Sequence, residues 1–241
     1  MNLILDFGNT RKKIAVVLQK KIVYSITQTK IELNDIAEIE NKYAVKNVIL
    51  SSVVNKTEEI EHYLEKKYTF IKLSEKTPIP IQNAYETKNT LGSDRLACAV
   101  AAHEHFPSEN VLVLQLGTCI TSDFITEKGI YLGGSISPGM TMRYKALHTF
   151  SARLPLMGYR RYHPVLGKST QESISSGVIH GIIAECNYLI DYYEKNFGSV
   201  KIIVTGGNRR LLKDAIKNNV LSLKDFVILG LDAILRYNIE K

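Results

Sequence analysis

Two stretches of this chain repeat one plan: an apolar strand, a polar residue, one further residue, a glycine, and a threonine close behind it. The first is Leu3-Ile4-Leu5-Asp6-Phe7-Gly8-Asn9-Thr10 and the second is Val111-Leu112-Val113-Leu114-Gln115-Leu116-Gly117-Thr118. In the first, Asp6 stands where the strand ends. Gly8 lets the backbone bend sharply and bring peptide N–H groups to an anion, while Asn9 and Thr10 add short side-chain donors. Arg11-Lys12-Lys13 and then Ile14 to Leu18 read as a strand returning antiparallel, which makes the turn the tip of a β-hairpin. Neither GxxxxGK[ST] nor GxGxxG is present, so a P-loop and a dinucleotide fingerprint are unsupported. One such tip is equally what a plain surface hairpin shows; the repetition carries the argument. Strand-like residues follow each copy, Lys21 to Thr29 and Asp123 to Ile136, so the sequence predicts two similar subdomains facing each other with a nucleotide tail between them.

The chain's 241 residues suffice for one compact domain or two smaller ones. With 45% hydrophobic and 23% charged residues it belongs with ordinary globular proteins. No apolar run approaches the ~18 residues of a membrane span, and the first residues enter a strand at once, so the expectation is a cytoplasmic protein without a membrane partner. Cys98, Cys119 and Cys186 lack CxxC spacing, which points to reduced, small apolar side chains and away from a disulfide framework or zinc. A formal charge of +7 favours polyanionic partners. The basic clusters Arg11-Lys12-Lys13 and Arg209-Arg210 are short, and only Arg160-Arg161, between Tyr159 and Tyr162, approaches the aromatic interleaving of a single-strand binder. Nucleic acid is therefore not the expected partner.

The rest of the first half reads as helix Asn34 to Tyr43, capped by Asn34 or Asp35, a buried strand from Val48 to Val54 ending at Asn55, helix Lys56 to Lys67, and strand Phe70 to Leu73. This is α/β order with a mixed sheet. Ser74 to Ser93 is a long polar connection without helical or strand period, a length that often marks function. Gly92-Ser93-Asp94-Arg95 then leads into a small apolar helix, Leu96 to His105. Asp94 at its start reads as a cap, and a carboxylate held there beside an Arg can also take a proton from a hydroxyl while the Arg binds an anion. In the second half, Tyr131 to Gly139 carries glycines that allow close backbone approach to a ligand. Met140 to Thr149 is a helix, Leu154 to Gly167 is irregular, and Lys168-Ser169-Thr170 opens the longest helix, to about Asn196, with Thr170 as a candidate cap. Val200 to Val204 ends in Thr205-Gly206-Gly207-Asn208, a turn able to lie flat against an adenine or ribose.

Taken in order, Asp6 to Thr10, Gly92 to Arg95, Gly117-Thr118, Gly133-Gly134 to Gly139 and Thr205-Gly206-Gly207 resemble the type III pantothenate kinases, over nearly the whole chain. That family, some members of which were first described as Bvg accessory factors for transcription, belongs to the actin, Hsp70 and sugar-kinase superfamily. The resemblance implies two RNase H-like subdomains with mixed sheets flanked by helices, here 1–109 and 110–241, and a cytoplasmic homodimer. It implies transfer of a phosphoryl group from ATP to pantothenate, giving 4'-phosphopantothenate, the first step of coenzyme A biosynthesis. Asp6, Phe7, Gly8, Asn9, Thr10, Arg11, Lys12 and Lys13 would form the first ATP-phosphate loop, Thr118 would bind ATP in the second, and Gly206 and Gly207 would lie near the nucleoside. Tyr85, Gly92, Ser93, Asp94, Arg95 and Thr170 match pantothenate-binding positions, with Asp94 as catalytic base, and Asp6 would hold Mg²⁺ directly or through water. Two other readings share parts of this pattern: a non-catalytic regulator, and a superfamily enzyme acting on another small alcohol or sugar.

One position departs from the family's pattern. Its second loop usually opens with an Asp that binds a monovalent cation, K⁺ or NH₄⁺, and here stands Gln115, which keeps an oxygen ligand and loses the charge. A unit-charge attraction at about 4 Å and an effective dielectric near 20 is about 4 kcal/mol before desolvation. The difference implies either a kinase that works without the cation, with a cationic side chain substituting, or an impaired one.

Overall fold

The computed structural model describes residues 1–54, 57–160, 164–216 and 220–240. The expected strand end at Asn55, the helix start at Lys56 and the Arg161 and Tyr162 of the basic-aromatic cluster fall outside them. The chain forms two compact units. Unit 1 is Met1–Pro107 with Gly129–Tyr131 and Asp225–Lys241, and unit 2 is Ser108–Lys128 with Leu132–Lys224. A division at 109/110 would put the last seventeen or so residues in the second half; by contact they belong to unit 1.

In unit 1, β1 (Asn2–Phe7), β2 (Lys12–Leu18) and β3 (Lys21–Gln28) run as an antiparallel meander. Helix α1 (Leu33–Glu40) leads to β4 (Asn47–Ser52), which pairs parallel with β1, and α2 (Glu58–Lys67) leads to β5 (Thr69–Lys72), parallel to β4. The sheet order is β3-β2-β1-β4-β5. Side chains alternate across a strand, and Leu3, Leu5, Phe7, Ile14, Val16, Val48 and Leu50 fill one face with Ile36, Ile39, Ile60 and Leu64 from α1 and α2. Each such fully buried side chain contributes about 1.5–3 kcal/mol. The opposite face of β1 carries Asn2, Ile4 and Asp6.

The long connection is not structureless. Its β6 (Gln82–Asn83) pairs parallel with Ile130–Tyr131, and a 3-10 turn spans Lys88–Thr90. Helix α3 (Ser93–His105) follows and begins two residues before Arg95.

Unit 2 repeats the plan. Strands β7 (Asn110–Leu116) and β8 (Cys119–Ile125) form an antiparallel hairpin, and β9 (Ile130–Pro138) follows. Helices α4 (Met140–Thr149) and α5 (Thr170–Phe197) intervene before β10 (Val200–Thr205), which pairs parallel with β7. The short α6 (Arg209–Leu212) leads to β11 (Leu221–Ser222), parallel to β10. The strand succession β9-β8-β7-β10-β11 thus matches β3-β2-β1-β4-β5 of the first half. Its core joins Leu112, Leu114, Phe124, Ile202 and Val204 to Ile174, Val178, Ile182 and Cys186 of α5. The last helix, α7 (Phe226–Ile239), packs against α3, β1 and β4 in unit 1.

Helix starts differ from the sequence expectation in detail. Asp35 acts from inside α1, its carboxylate accepting the Glu32 N–H at 2.7 Å, and Ser169 caps α5, its hydroxyl accepting the Glu172 N–H at 3.2 Å. Thr170 is the first helical residue. The cap of α3 is Gly92, so Asp94 lies within the first turn and its Oδ1 accepts the Arg95 N–H at 2.9 Å. The three cysteines are free thiols, and burial pushes that of Cys186 up to about 12.

Candidate functional site

The first hairpin tip lies at the end of β1, and the register of the sheet organises the charges around it. Asp6 stands directly opposite Lys13 on β2 and Ser51 on β4. It shares its face of the strand with Asn2, whose amide donates to Asp232 of α7 at 2.8 Å. Asp6 therefore looks toward the side of the sheet covered by α3 and α7. The Ser51 hydroxyl, 1% exposed, donates to Ser93 Oγ at 2.8 Å and ties the start of α3 to the strand beside Asp6.

This arrangement brings Asp94 close enough to act on Asp6 through its charge. Burial, first, and the Asp94 charge, second, push the Asp6 carboxyl from 3.8 up to about 6, while Lys13 pulls it down. Arg95 is 3% exposed, and its guanidinium lies 5.5 Å from the centre of the Tyr85 ring. Tyr85 in turn stacks on the fully buried Tyr131 at 6.2 Å. Tyr85, Ser93, Asp94 and Arg95 are thereby grouped with Asp6 and Lys13 in unit 1. Within the tip, the Gly8 N–H closes the turn on the Arg11 carbonyl at 3.0 Å, so that amide is already used inside the loop. Lys12 lies 5.0 Å over the Phe7 ring, and Asn9, Thr10 and Arg11 are exposed.

Unit 2 holds the counterpart. Gln115 occupies the place in β7 that Asp6 occupies in β1, opposite Thr121 on β8 and Thr205 on β10. The trio Asp6, Lys13 and Ser51, two of them charged, is thus replaced by the uncharged trio Gln115, Thr121 and Thr205. The nearest acid along β8 is Asp123, 1% exposed, which accepts the Thr121 hydroxyl at 3.1 Å. At the tip, the Gly139 N–H donates to the Thr118 carbonyl at 3.0 Å, and a Cβ on Gly139 would run into that carbonyl. Gly206 has φ +92° and lies so flat on Leu116 that a Cβ would come within 2.5 Å of its carbonyl oxygen. The close approach expected of these glycines is thus made to the backbone of the second tip. Gly207 borders open space. Thr118, Gly139 and Gly206 are drawn together in this way.

Thr170 lies in another part of unit 2. It lines a cavity of about 1040 Å³ between α4 and α5, with Arg143, Leu147, Phe150 and Lys168 among the lining residues. Arg160 is bound to Gln171 at 2.6 Å. Two residues with no signal in the local sequence complete the first site: Ser51 and Asp225, the latter paired with Lys13 from 212 residues away.

The Asp6 and Asp94 pair suits a divalent cation. Mg²⁺ is usually held by one or two carboxylates together with substrate phosphates and water, and a cation relieves a carboxylate burdened by burial and a like charge. Among the described residues no group of three or more His, Cys, Asp or Glu side chains could hold a metal ion, and no helix is long and apolar enough to cross a membrane. Gln115 itself offers a neutral amide oxygen in place of a carboxylate, and the nearest acid along β8 is Asp123, which accepts from Thr121.

The chain is similar to known proteins along nearly its whole length. The type III pantothenate kinase of Christiangramia forsetii is 39% identical over 240 residues, with 99% of each chain covered, and that of Phocaeicola vulgatus is 38% identical over 239 residues, again covering 99% of each. Among solved structures, a protein from Campylobacter jejuni described as a Baf family transcriptional activator superposes with a TM-score of 0.63 at 22% identity, covering 99% of this chain and 100% of that one. Component A of (R)-2-hydroxyglutaryl-CoA dehydratase from Acidaminococcus fermentans gives 0.56 at 14% identity, covering 100% and 99%. At such identities these show the fold, that of the actin-like ATPases and sugar kinases. A family model described as type III pantothenate kinase matches residues 2–192, and with the full-length relatives above it establishes that this chain belongs to the type III pantothenate kinase family.

Proposed function

We propose that this protein uses ATP to phosphorylate the primary hydroxyl of pantothenate, giving 4'-phosphopantothenate in the first step of coenzyme A biosynthesis, and that Asp94 is the base. The supporting observation is the pairing of Asp94 with Asp6 at the start of α3, next to an Arg95 stacked on Tyr85. Phosphoryl transfer asks the protein chiefly to position the reactants and to balance charge. In this reading the hairpin tip from Asp6 to Lys13 cradles the phosphates, Thr118 supplies a hydroxyl to the nucleotide, and Gly206 and Gly207 lie near the nucleoside. Arg95 pairs with the pantothenate carboxylate, and Tyr85, Gly92, Ser93 and Thr170 complete its binding positions. Asp94 accepts the hydroxyl proton as the oxygen attacks the γ-phosphate. Mg²⁺, held by Asp6 directly or through water, would neutralise charge on the phosphates when bound.

Release of ADP is expected with pantothenate as acceptor and not with a panel of hexoses and N-acetylhexosamines; turnover of a sugar in place of pantothenate would overturn the substrate assignment. The apolar rim of the α4–α5 cavity, where Phe150 is 88% exposed, supports a homodimer, and a monomer in sedimentation velocity at micromolar concentration would contradict that.

The neutral trio around Gln115 supports catalysis without a monovalent cation. Wild-type turnover is expected to be flat across a K⁺ titration, and Gln115→Asp to acquire K⁺ stimulation. Stimulation of the wild type as strong as that of the variant would refute this.

A further inference from the structure

Asp225 gives up the ordinary work of a helix cap. It precedes α7 in a left-handed conformation, φ 57° and ψ 32°, a region that Asp enters more readily than most residues with a Cβ. An Asp at such a position normally turns its carboxylate back to the first free amides of the helix. Here it makes no such bond, and the Ile228 and Leu229 amides donate to the Asp225 main-chain carbonyl at 3.0 and 3.3 Å. The carboxylate instead receives the Lys13 ammonium at 2.5 Å. The two side chains are 7% and 25% exposed, so solvent screens the pair only in part. Lys13 stands opposite Asp6 and its charge acts on that carboxyl. A carboxylate that leaves the helix amides uncapped and receives the Lys13 ammonium points to the lysine as one of its purposes.

We propose that Asp225 is a positioning residue for Lys13: from the start of the last helix it fixes the ammonium beside Asp6, so that the cation meets the nucleotide phosphates already oriented. This rests on the reading of residues 6–13 as the phosphate loop. The physical ground is preorganisation. A lysine stem has many rotamers, and fixing it before the ligand arrives removes that ordering from the cost of binding. The helix and the hairpin are far apart in sequence and independent of each other locally, so the ion pair also makes docking of α7 part of the nucleotide site.

The test compares wild type with Lys13→Ala, Asp225→Asn, Asp225→Gly and the double variant Lys13→Ala/Asp225→Asn, measuring kcat, KM for ATP, and Kd for ADP by calorimetry. Glycine accepts the left-handed backbone at no steric cost, so Asp225→Gly removes the carboxylate while preserving the turn. Each single variant is expected to raise KM for ATP and Kd for ADP roughly tenfold with kcat changed less than about threefold, and the double variant to match Lys13→Ala. An unchanged Kd in Lys13→Ala would remove Lys13 from the phosphate loop, and with it the premise. A raised Kd in Lys13→Ala, with no change or tighter binding in both Asp225 variants, would overturn the positioning role and leave the phosphate loop standing. So would additive effects in the double variant.

Discussion

Asp94→Asn is expected to lower kcat by roughly 10²–10⁴-fold while binding of ADP and pantothenate persists, the range that general-base assistance contributes. Asparagine keeps the shape of the side chain and the amide oxygen that can accept the Arg95 N–H, so α3 retains its first turn. What it loses is the capacity to take a proton. A neutral residue 94 also lifts the like charge from Asp6, whose carboxyl burial and Asp94 together hold near 6. The two effects separate by measurement. If Asp94 is the base, kcat falls and KM for ATP stays close to the wild-type value; if Asp94 serves only to repel charge at Asp6, kcat is little changed and metal dependence shifts instead. Near-normal turnover in the variant would take Asp94 out of the proton-accepting role.

The residues that were readable in sequence are those whose position follows from local alternation. Leu3, Leu5 and Phe7 on one face and Asp6 on the other fix both the strand and the side toward which the carboxylate looks. The repeat of that pattern at Leu112, Leu114 and Leu116 with Gln115 gave the second hairpin for the same reason. Caps were less legible, because Ser169 and Thr170 are chemically near-equivalent and the choice depends on which backbone leaves the extended region first. The close approach of Gly139 and Gly206 is expected from sequence toward a ligand and is made instead to the backbones of Thr118 and Leu116, at and just before the second hairpin tip, which are distant in sequence from both glycines. The pairing of Asp225 with Lys13, 212 residues apart, and the return of α7 to unit 1 depend on contacts far apart in sequence and leave no periodic trace.

Asp6→Asn is expected to stabilise the ligand-free protein at pH 7 while lowering its turnover. An aspartate whose carboxyl rises from 3.8 to about 6 on folding pays for its charge in the native state, and that rise corresponds to about 3 kcal/mol. The sign follows from proton binding: between these two values the folded chain holds a proton that the unfolded chain has released, so the native state gains stability as pH falls from above 6 toward 4. At pH 7 the wild type carries the full penalty and the asparagine variant none of it. For a chain of this size, about 1 kcal/mol is worth roughly 2–4 °C in Tm, so the variant melts roughly 6–12 °C above the wild type at pH 7. The difference closes near pH 4, where the wild-type carboxyl is itself largely protonated in the native state. Scanning calorimetry at both pH values decides the matter, and a variant less stable than wild type at pH 7 would show that Asp6 is held by compensating contacts. A carboxylate retained at such a cost is what a site for phosphates and a divalent cation requires, because the same unrelieved negative charge that weakens the empty fold strengthens the bound one.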